Sequence, residues 1–174
     1  HAATCLMGGN WTATHNGQPD LWAQQLPSAG FAVHPEQHVP GWDRWVRRAN
    51  GGWVRQRAVL DLRVEAPPDA PVTYLDVKVT HPCSATYVAG AAGENGYAAQ
   101  KAEDDKHARY PANTPGVSGR LVPLVVETYG RWGKEGLRFL KKAAARTAAW
   151  TTALAVLGGE CPPAELGGWL QRQA

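Results

Sequence analysis

Two aspartates and a lysine form the pattern in this chain that is best suited to metal-assisted chemistry. Asp61 lies in the segment AVLDLRV and Asp76 in YLDVKVT, and apolar residues flank both of them. A carboxylate in apolar surroundings is costly unless it has a partner charge or a metal ion. Lys78 follows Asp76 by two residues, so strand alternation points both side chains to one face. If the two segments pair, the three side chains can converge.

Such a group suits the cleavage of a phosphodiester bond. Mg²⁺ is held by one or two carboxylates and keeps several waters, while it polarises a phosphate and activates a water. The backbone carbonyl of Val77 is a further hard oxygen ligand. A neighbouring lysine ammonium orients the nucleophile or neutralises developing charge. The alternative is an ordinary ion pair on an exposed strand face, which contributes little to stability.

Hydrophobic periodicity predicts the elements that position these residues. The pattern is typical of a mixed α/β fold in which helices flank one central sheet. Pro35 is expected to interrupt the first strand, and glycines end the first and last helices. We expect a helix over 15–29, strands over 31–39, 53–64 and 74–80, a helix over 98–110, a strand over 121–128 and a helix over 134–157.

Length and composition favour one domain with a single core, since the chain has 174 residues and is 44% hydrophobic. We divide it into a linker over 1–14, a main domain over 15–160 and a tail helix over 161–174. No apolar run is long enough to span a membrane, and the three cysteines do not predict a disulfide framework. The prediction is a soluble piece of a longer intracellular protein. The net charge of +3 favours a polyanionic partner but also lies within the range of many ordinary enzymes.

Four stretches carry a resemblance to a known family. An acidic residue on one strand followed by acid-x-Lys on the next resembles the PD-(D/E)XK nucleases. The wider chain resembles the restriction-enzyme-like endonuclease region C-terminal to the reverse transcriptase of non-LTR retrotransposons and related elements. The stretches are HAATCLMGG with THN, LDLRV with LDVKVTHP, QKAEDDKHARY, and LVPLVVETYGRWG. The chain departs from the family where Leu60 replaces the usual proline before Asp61.

The resemblance implies a restriction-endonuclease-like core and a nuclease that nicks target DNA to prime reverse transcription. Asp61 and Asp76 would bind Mg²⁺ or Mn²⁺, Lys78 would be catalytic, and Glu36 would be an additional upstream acid. DNA and the upstream reverse transcriptase are the expected partners, without a membrane, in the nucleus. His1 and Cys5 resemble the end of a zinc knuckle, so Zn²⁺ is expected only in the longer parent chain, where the missing cysteines would lie.

Several polar and aromatic residues are candidates for DNA contact. His15 and Asn16 either bind phosphate or cap a helix, and the basic helix residues either bind phosphate or form exposed salt bridges. Trp42, Trp45 and Trp53, interleaved with arginines, either stack on bases or pack in the core. His34 and His38 are expected in a strand and loop without a metal. The basic and aromatic helix candidates are Lys101, Lys106 and Tyr110, followed by Arg138, Lys141 and Lys142.

Two other functions compete with the nuclease. The first is a DNA-binding module of a decayed mobile element, which keeps the basic helices and has no catalysis. The second is a scaffold that docks the reverse transcriptase through its tryptophan-rich segment. Cleavage of DNA would indicate the nuclease, and DNA binding without cleavage would indicate the DNA-binding module. Absence of both activities would indicate the scaffold.

Overall fold

The structure is a computed structural model that describes residues 10–66 and 71–156. His1, Cys5 and the expected tail helix over 161–174 lie outside these residues, as do the side chains of His15 and Asn16. No helix within the described ranges has the length and apolar character needed to cross a membrane.

A four-stranded mixed sheet is the centre of the fold, with the order β1-β4-β5-β6. β1, β4 and β5 pair antiparallel, whereas β5 and β6 pair parallel. A separate two-stranded antiparallel hairpin, β2–β3, extends from the chain between β1 and β4. The strands are β1 (Ala32–His38), β2 (Arg44–Arg47), β3 (Trp53–Gln56), β4 (Val59–Glu65), β5 (Thr73–Thr80) and β6 (Arg120–Glu127).

Helices cover both faces of this sheet. Glycine at position 30, with φ 75°, closes the turn that follows the first helix, because a left-handed conformation suits a residue without Cβ. A parallel pair needs a crossover connection, and the chain between β5 and β6 supplies it with two helices. The helices are α1 (Asn10–Gln25), a 3₁₀ turn (Leu26–Ala29), α2 (Val88–Ala91), α3 (Tyr97–Arg109) and α4 (Lys134–Val156).

The two faces of the sheet bury different sets of side chains. Leu62, Leu75 and Val77 pack with α1 and α4 in the larger core. On the other face, α3 packs through small alanines against Val125 of β6. Because side chains alternate along a strand, the positions between those core residues face the α3 side. The sheet therefore turns Asp76 and Lys78 toward α3 and away from the larger core. Asp61 lies where the alternation of β4 changes, since Leu62 packs in the larger core and Leu60 packs in the cluster around Trp42 and Tyr110.

The sequence predicted the mixed α/β class, the strand pair that carries the two aspartates, and the long last helix, and all three are confirmed. Two strand predictions were wrong in detail. The segment 53–64 forms two strands, with a break at Arg57 and Ala58. Pro35 does not end β1, since it pairs with Leu62 and the strand continues to His38. The irregular residue is Glu36, at φ 50°.

Candidate active site

The carboxylate of Asp61 binds the backbone of the neighbouring strand. The antiparallel ladder pairs Leu62 with Leu75, and the next positions along it are Asp61 and Asp76. There the regular pairing stops, and Asp61 Oδ2 accepts the backbone N–H of Val77 at 2.6 Å. This side-chain acceptor satisfies an amide that would otherwise lose its partner at the end of the ladder. The contact brings the Asp61 carboxylate to the peptide that follows Asp76.

Asp76 forms an ion pair with the helix above it. The Nζ of Lys106, on α3, donates to Asp76 Oδ2. The two side chains are only 9% and 15% exposed, for Asp76 and Lys106 respectively. Charges removed from water to this extent need a partner, so the pair neutralises a carboxylate that the sheet buries. The sequence predicted a DNA contact for Lys106, whereas the structure places it on the candidate catalytic aspartate.

Glu36 lies opposite Asp61, on β1, the strand that pairs with β4 along the edge away from β5. The β1–β4 ladder pairs Pro35 with Leu62 and Gln37 with Leu60, so the position between them faces Asp61. Glu36 is exposed, and its backbone is in the left-handed region. Candidate acids from three adjacent strands therefore occupy one row across the sheet.

A cleft of about 460 Å³ opens beside the outer part of this row. Glu36 and Asp61 line it together with Asp20 and Pro19 of α1. Asp20 was not predicted from the sequence, because helical periodicity ties that residue to its own helix and gives no sign of which strand end it meets. Asp20 is exposed, so it adds negative charge to the wall of the cleft without a desolvation cost.

Tyr110 lies beneath the two aspartates as a core residue. It is 3% exposed, and its ring packs against Trp42 with 5.4 Å between centroids. Burial raises the pKa of its phenol above the usual value, and the charges of Asp76 and Asp61 also raise it. Tyr110 therefore keeps its proton at neutral pH. The DNA contact predicted from the sequence requires a ring that faces solvent. The Tyr110 ring does not.

The remaining basic candidates are divided between the two faces of the sheet. Lys78 is half-buried on β5, two residues beyond Asp76, and Lys101 is exposed on α3. Three candidates lie on α4, which packs on the opposite face of the sheet. The structure thus brings Lys78 to the face that carries Asp76 and keeps the basic α4 residues away from it. These exposed α4 residues are Arg138, Lys141 and Lys142.

Two buried glutamates fix the helix that carries Lys106. Glu127, at the end of β6, accepts the N–H of Ala99 in the first turn of α3. Glu103 of α3 uses Oε1 to accept the N–H of Glu135 at 2.9 Å, and that of Gly136 more weakly, at the start of α4. Carboxylates are favoured at helix N-termini, where amides lack intrahelical partners. These contacts hold α3 in register with both β6 and α4.

Glu103 is 1% exposed, and its second oxygen has no hydrogen-bond partner in the part of the chain that the structure describes. Burial raises the pKa of Glu103 above its usual value, against the lowering by the Gly136 and Glu135 amides. A Cβ at Gly133 would lie 2.3 Å from Glu103 Oε1, so the glycine makes room for this carboxylate.

The donor set at the aspartates suits a hard cation with few protein ligands. Among residues 10–66 and 71–156, no group of three or more His, Cys, Asp or Glu side chains is arranged to hold a metal. Asp61 and Asp76 still provide two carboxylates on adjacent strands, and Mg²⁺ needs only one or two with waters completing its shell. These residues fit Mg²⁺ or Mn²⁺ better than Zn²⁺, which prefers four nitrogen or sulfur ligands in structural sites.

The structure places the candidates His34, His38 and Asn16 inside regular secondary structure. His34 and His38 both lie in β1, and His38 Nε2 contacts Asp43 Oδ1 at 2.9 Å. Asn16 is inside α1, six residues after its start, which excludes the helix cap that the sequence left open as its role.

Comparison with protein-family models and with curated protein sequences finds no match to this chain.

Proposed function

We propose that this domain is a metal-dependent DNA endonuclease of the PD-(D/E)XK type, with a restriction-endonuclease-like core. The observation that carries the proposal is the contact of Asp61 with the Val77 amide, directly after Asp76. It holds the Asp61 carboxylate at the peptide that follows Asp76, on adjacent antiparallel strands and in the acid, acid-x-Lys order. The mixed sheet with helices on both faces also supports this core.

Asp61 and Asp76 would hold Mg²⁺ or Mn²⁺, with the Val77 carbonyl as a further oxygen ligand. When bound, such an ion polarises the scissile phosphate and lowers the pKa of a water. Lys78, on the same face of β5, neutralises charge that develops on the phosphate and orients the nucleophile. Glu36 lines the cleft beside Asp61 and is the fourth catalytic candidate.

Lys106 has a positioning role in this proposal. Its ammonium keeps the Asp76 carboxylate neutralised and oriented while α3 is docked on the sheet. A cation that binds Asp76 takes over the same electrostatic task. The affinity for the cation therefore includes the displacement or the sharing of Lys106.

The proposed substrate is DNA, which the domain nicks to prime reverse transcription in the nucleus beside its reverse transcriptase. Exposed basic side chains on the two helices provide contacts to phosphates that do not depend on sequence. His15 and Asn16 on α1 remain candidates for the same role. The exposed basic residues are Lys101 on α3 and Arg138, Lys141 and Lys142 on α4.

A plasmid-nicking assay tests this function. The wild-type protein should convert supercoiled plasmid to the open circle with Mg²⁺ or Mn²⁺, and EDTA should stop the conversion. Asp76→Ala should abolish nicking, whereas Asp104→Ala, which removes an exposed acid of α3, should not. Lys78→Ala should lose turnover while it keeps Mn²⁺ binding in calorimetry. Absence of nicking by the wild type, or equal nicking by Asp76→Ala, contradicts the proposal.

The Lys106–Asp76 ion pair favours a second candidate function, a DNA-binding module without catalysis. A lysine that permanently neutralises Asp76 leaves the adjacent strand without an anionic ligand to act together with Asp61. This alternative predicts salt-sensitive DNA binding with no cleavage at any concentration of Mg²⁺ or Mn²⁺. The same assay, combined with filter binding, separates the two functions.

A further inference from the structure

The β2–β3 hairpin presents an exposed face on which aromatic and basic side chains alternate. The register pairs Trp45 with Arg55 and Arg47 with Trp53. Residues paired across an antiparallel ribbon share a face, as do residues two apart along a strand. Trp45, Arg47, Trp53 and Arg55 therefore occupy one face, with tryptophan and arginine alternating both along and across the strands.

Both tryptophans on this face are open to solvent. Trp45 is 65% exposed and Trp53 is 66% exposed, whereas Trp42 lies in the core at 3%. Neither strand of the hairpin packs extensively on any other element of the described chain. No helix or strand of the described residues covers these two large apolar rings, and exposed apolar surfaces of this kind mark interaction sites.

The charge of the hairpin points to a polyanionic partner. The segment 44–57 contains five arginines and no acidic residue. Arg55 pairs with Asp43 at 2.9 Å, and Arg44 donates to Gln56. Arg47 makes a long contact with the Gly51 carbonyl, at 3.3 Å, and the residue is exposed. Aromatic rings interleaved with such cations suit single-stranded nucleic acid, in which bases stack and phosphates need counter-charges.

The base of the hairpin is fixed close to the acidic row. Asp43 accepts the N–H of Ala58 at 2.8 Å and also contacts His38 and Arg55. The β1–β4 ladder ends at the pair of His38 with Val59, and the hairpin leaves the sheet there. Glu36 lies two residues inside that end, a strand distance of about 7 Å.

We infer that the β2–β3 hairpin binds unpaired nucleotides of single-stranded nucleic acid, with bases stacked on Trp45 and Trp53 and phosphates contacted by Arg47. The inference deepens the proposed function. It rests on that function for one point, that the bound nucleic-acid strand runs from the hairpin toward the cleft. The tryptophans are diagonal neighbours, with Cβ atoms about 7–8 Å apart. That spacing is about twice the 3.4 Å rise of a nucleotide. The rings thus engage two nearby bases of one strand.

Fluorescence anisotropy with a labelled 15-nucleotide oligothymidylate, in EDTA so that no cleavage occurs, tests the inference. The wild-type protein binds, and binding quenches tryptophan fluorescence. Trp45→Ala and Trp53→Ala each weaken binding about tenfold. Trp45→Tyr keeps a stacking ring and loses less affinity than Trp45→Leu, which keeps only apolar surface. Tyr129→Ala, which removes another highly exposed ring, is the matched control and leaves the affinity unchanged.

The arginine contribution appears in the salt dependence. Arg47→Ala reduces the slope of log affinity against log salt by about 0.7. Arg120→Ala, which removes an exposed arginine of β6, leaves the slope unchanged. An oligouridylate that binds equally assigns the site to unpaired bases of either sugar, and weaker binding assigns it to DNA.

Three results would overturn the inference. They are no binding of either oligonucleotide, equal binding by the Trp45→Ala/Trp53→Ala double variant, and tryptophan-dependent binding of anionic vesicles without oligonucleotide binding. The outcome is separable from that of the proposed function. Plasmid nicking without oligonucleotide binding removes the hairpin inference alone, and oligonucleotide binding with nicking by Asp76→Ala removes the proposed catalytic site alone.

Discussion

Lys106 on α3 donates to Oδ2 of Asp76 in β5, and this contact joins two layers of the fold through a largely buried ion pair. The lysine approaches from the helix that Glu103 and Glu127 hold in place. The state of Asp76 therefore depends on the docking of α3 as well as on the strand that bears it. A bound cation and the Lys106 ammonium would compete for the same carboxylate.

Removal of the Lys106 side chain should make the protein depend on a divalent cation for its stability. Lys106→Ala leaves Asp76 buried without its partner, which should lower the free energy of unfolding by about 3–5 kcal/mol. Mn²⁺ should restore part of that stability, because it supplies the missing positive charge. Urea unfolding with and without Mn²⁺ measures both effects. Lys101→Ala, an exposed lysine of the same helix, should change stability by less than about 0.5 kcal/mol. An equal Mn²⁺ response in the wild type and Lys106→Ala contradicts the competition.

Two substitutions of Asp61 should separate its structural role from its proposed catalytic role. Asp61→Ala removes the acceptor of the Val77 amide and should destabilise the fold by about 1–3 kcal/mol. Asp61→Asn keeps a carbonyl acceptor and should cost less stability. Both variants should lose nicking, because neither retains the anionic ligand that a hard cation prefers. The measurements are urea unfolding and plasmid nicking, and wild-type nicking by Asp61→Asn would exclude Asp61 as a metal ligand.

The sequence predicted the aspartate pair because strand alternation is local. Apolar neighbours around Asp61 and Asp76 indicated two half-buried strands, and their pairing is confirmed. The break at Ala58 depends on the Asp43 carboxylate, which is 15 residues away and takes the Ala58 amide. No spacing rule relates those two positions. Periodicity alone therefore provides no means to separate β3 from β4.

The contact of Lys106 with Asp76 was not predicted for the same reason, because it too is distant in the sequence. Helical spacing put Lys101 and Lys106 on a basic edge of α3, but spacing does not determine which part of a helix packs on the sheet. The alanines of α3 pack on Val125 and turn Lys106 toward Asp76, 30 residues away in the chain. Lys101 stays exposed. Contacts over such separations are set by packing between elements, which periodicity does not encode.

Glu103 should make the protein less stable as the pH rises. Burial raises its pKa in the folded protein, so the folded state binds the proton more tightly than the unfolded chain does. Its contribution is fully present below the unfolded value of about 4.3 and is lost as the pH rises through the raised pKa. Glu103→Gln should abolish this part of the pH dependence.

Urea unfolding of the wild type and Glu103→Gln from pH 4 to pH 8 checks this prediction, since the difference between the two curves isolates Glu103. The wild type should lose stability relative to Glu103→Gln as the pH increases. A difference that is constant with pH would show that Glu103 titrates alike in the folded and unfolded states.

Asp43 should produce the opposite pH dependence at the base of the hairpin. The Ala58 amide, followed by the effects of His38 and Arg55, holds the pKa of Asp43 below its usual value against a smaller rise from burial. Its contribution is present above the unfolded value of about 3.9 and is lost as the pH falls through the lowered pKa.

Hydrogen exchange of individual amides measures this effect. The protection factor of the Ala58 amide should fall in Asp43→Ala at neutral pH, and in the wild type under acid conditions. The Val39 amide, which bonds to the Ala58 carbonyl at 2.9 Å, is the internal control and should keep its protection longer. If both amides lose their protection from exchange at the same low pH, the whole strand pair has unfolded and the hairpin has not been released alone.

Under the proposed function, substitution of the basic residues of α4 shows which side of the domain would bind duplex DNA. Arg138, Lys141 and Lys142 are exposed on the helix that packs on the sheet face opposite Asp76. Replacement of all three by alanine should reduce the salt-dependence slope of duplex binding by up to about 0.9 for each phosphate that these side chains neutralise. The charge-conserving triple variant Arg138→Lys/Lys141→Arg/Lys142→Arg should keep the slope.

The nicking activity of the alanine variant shows whether α4 binds the same duplex segment that is cut. If α4 holds the duplex that is cut, nicking at moderate salt should fall with binding, because the DNA must pass from α4 around the sheet edge to the aspartates. If nicking persists while binding falls, α4 holds a different duplex segment, and productive contacts come from Lys101 and the α3 face. An unchanged slope excludes α4 as a DNA contact.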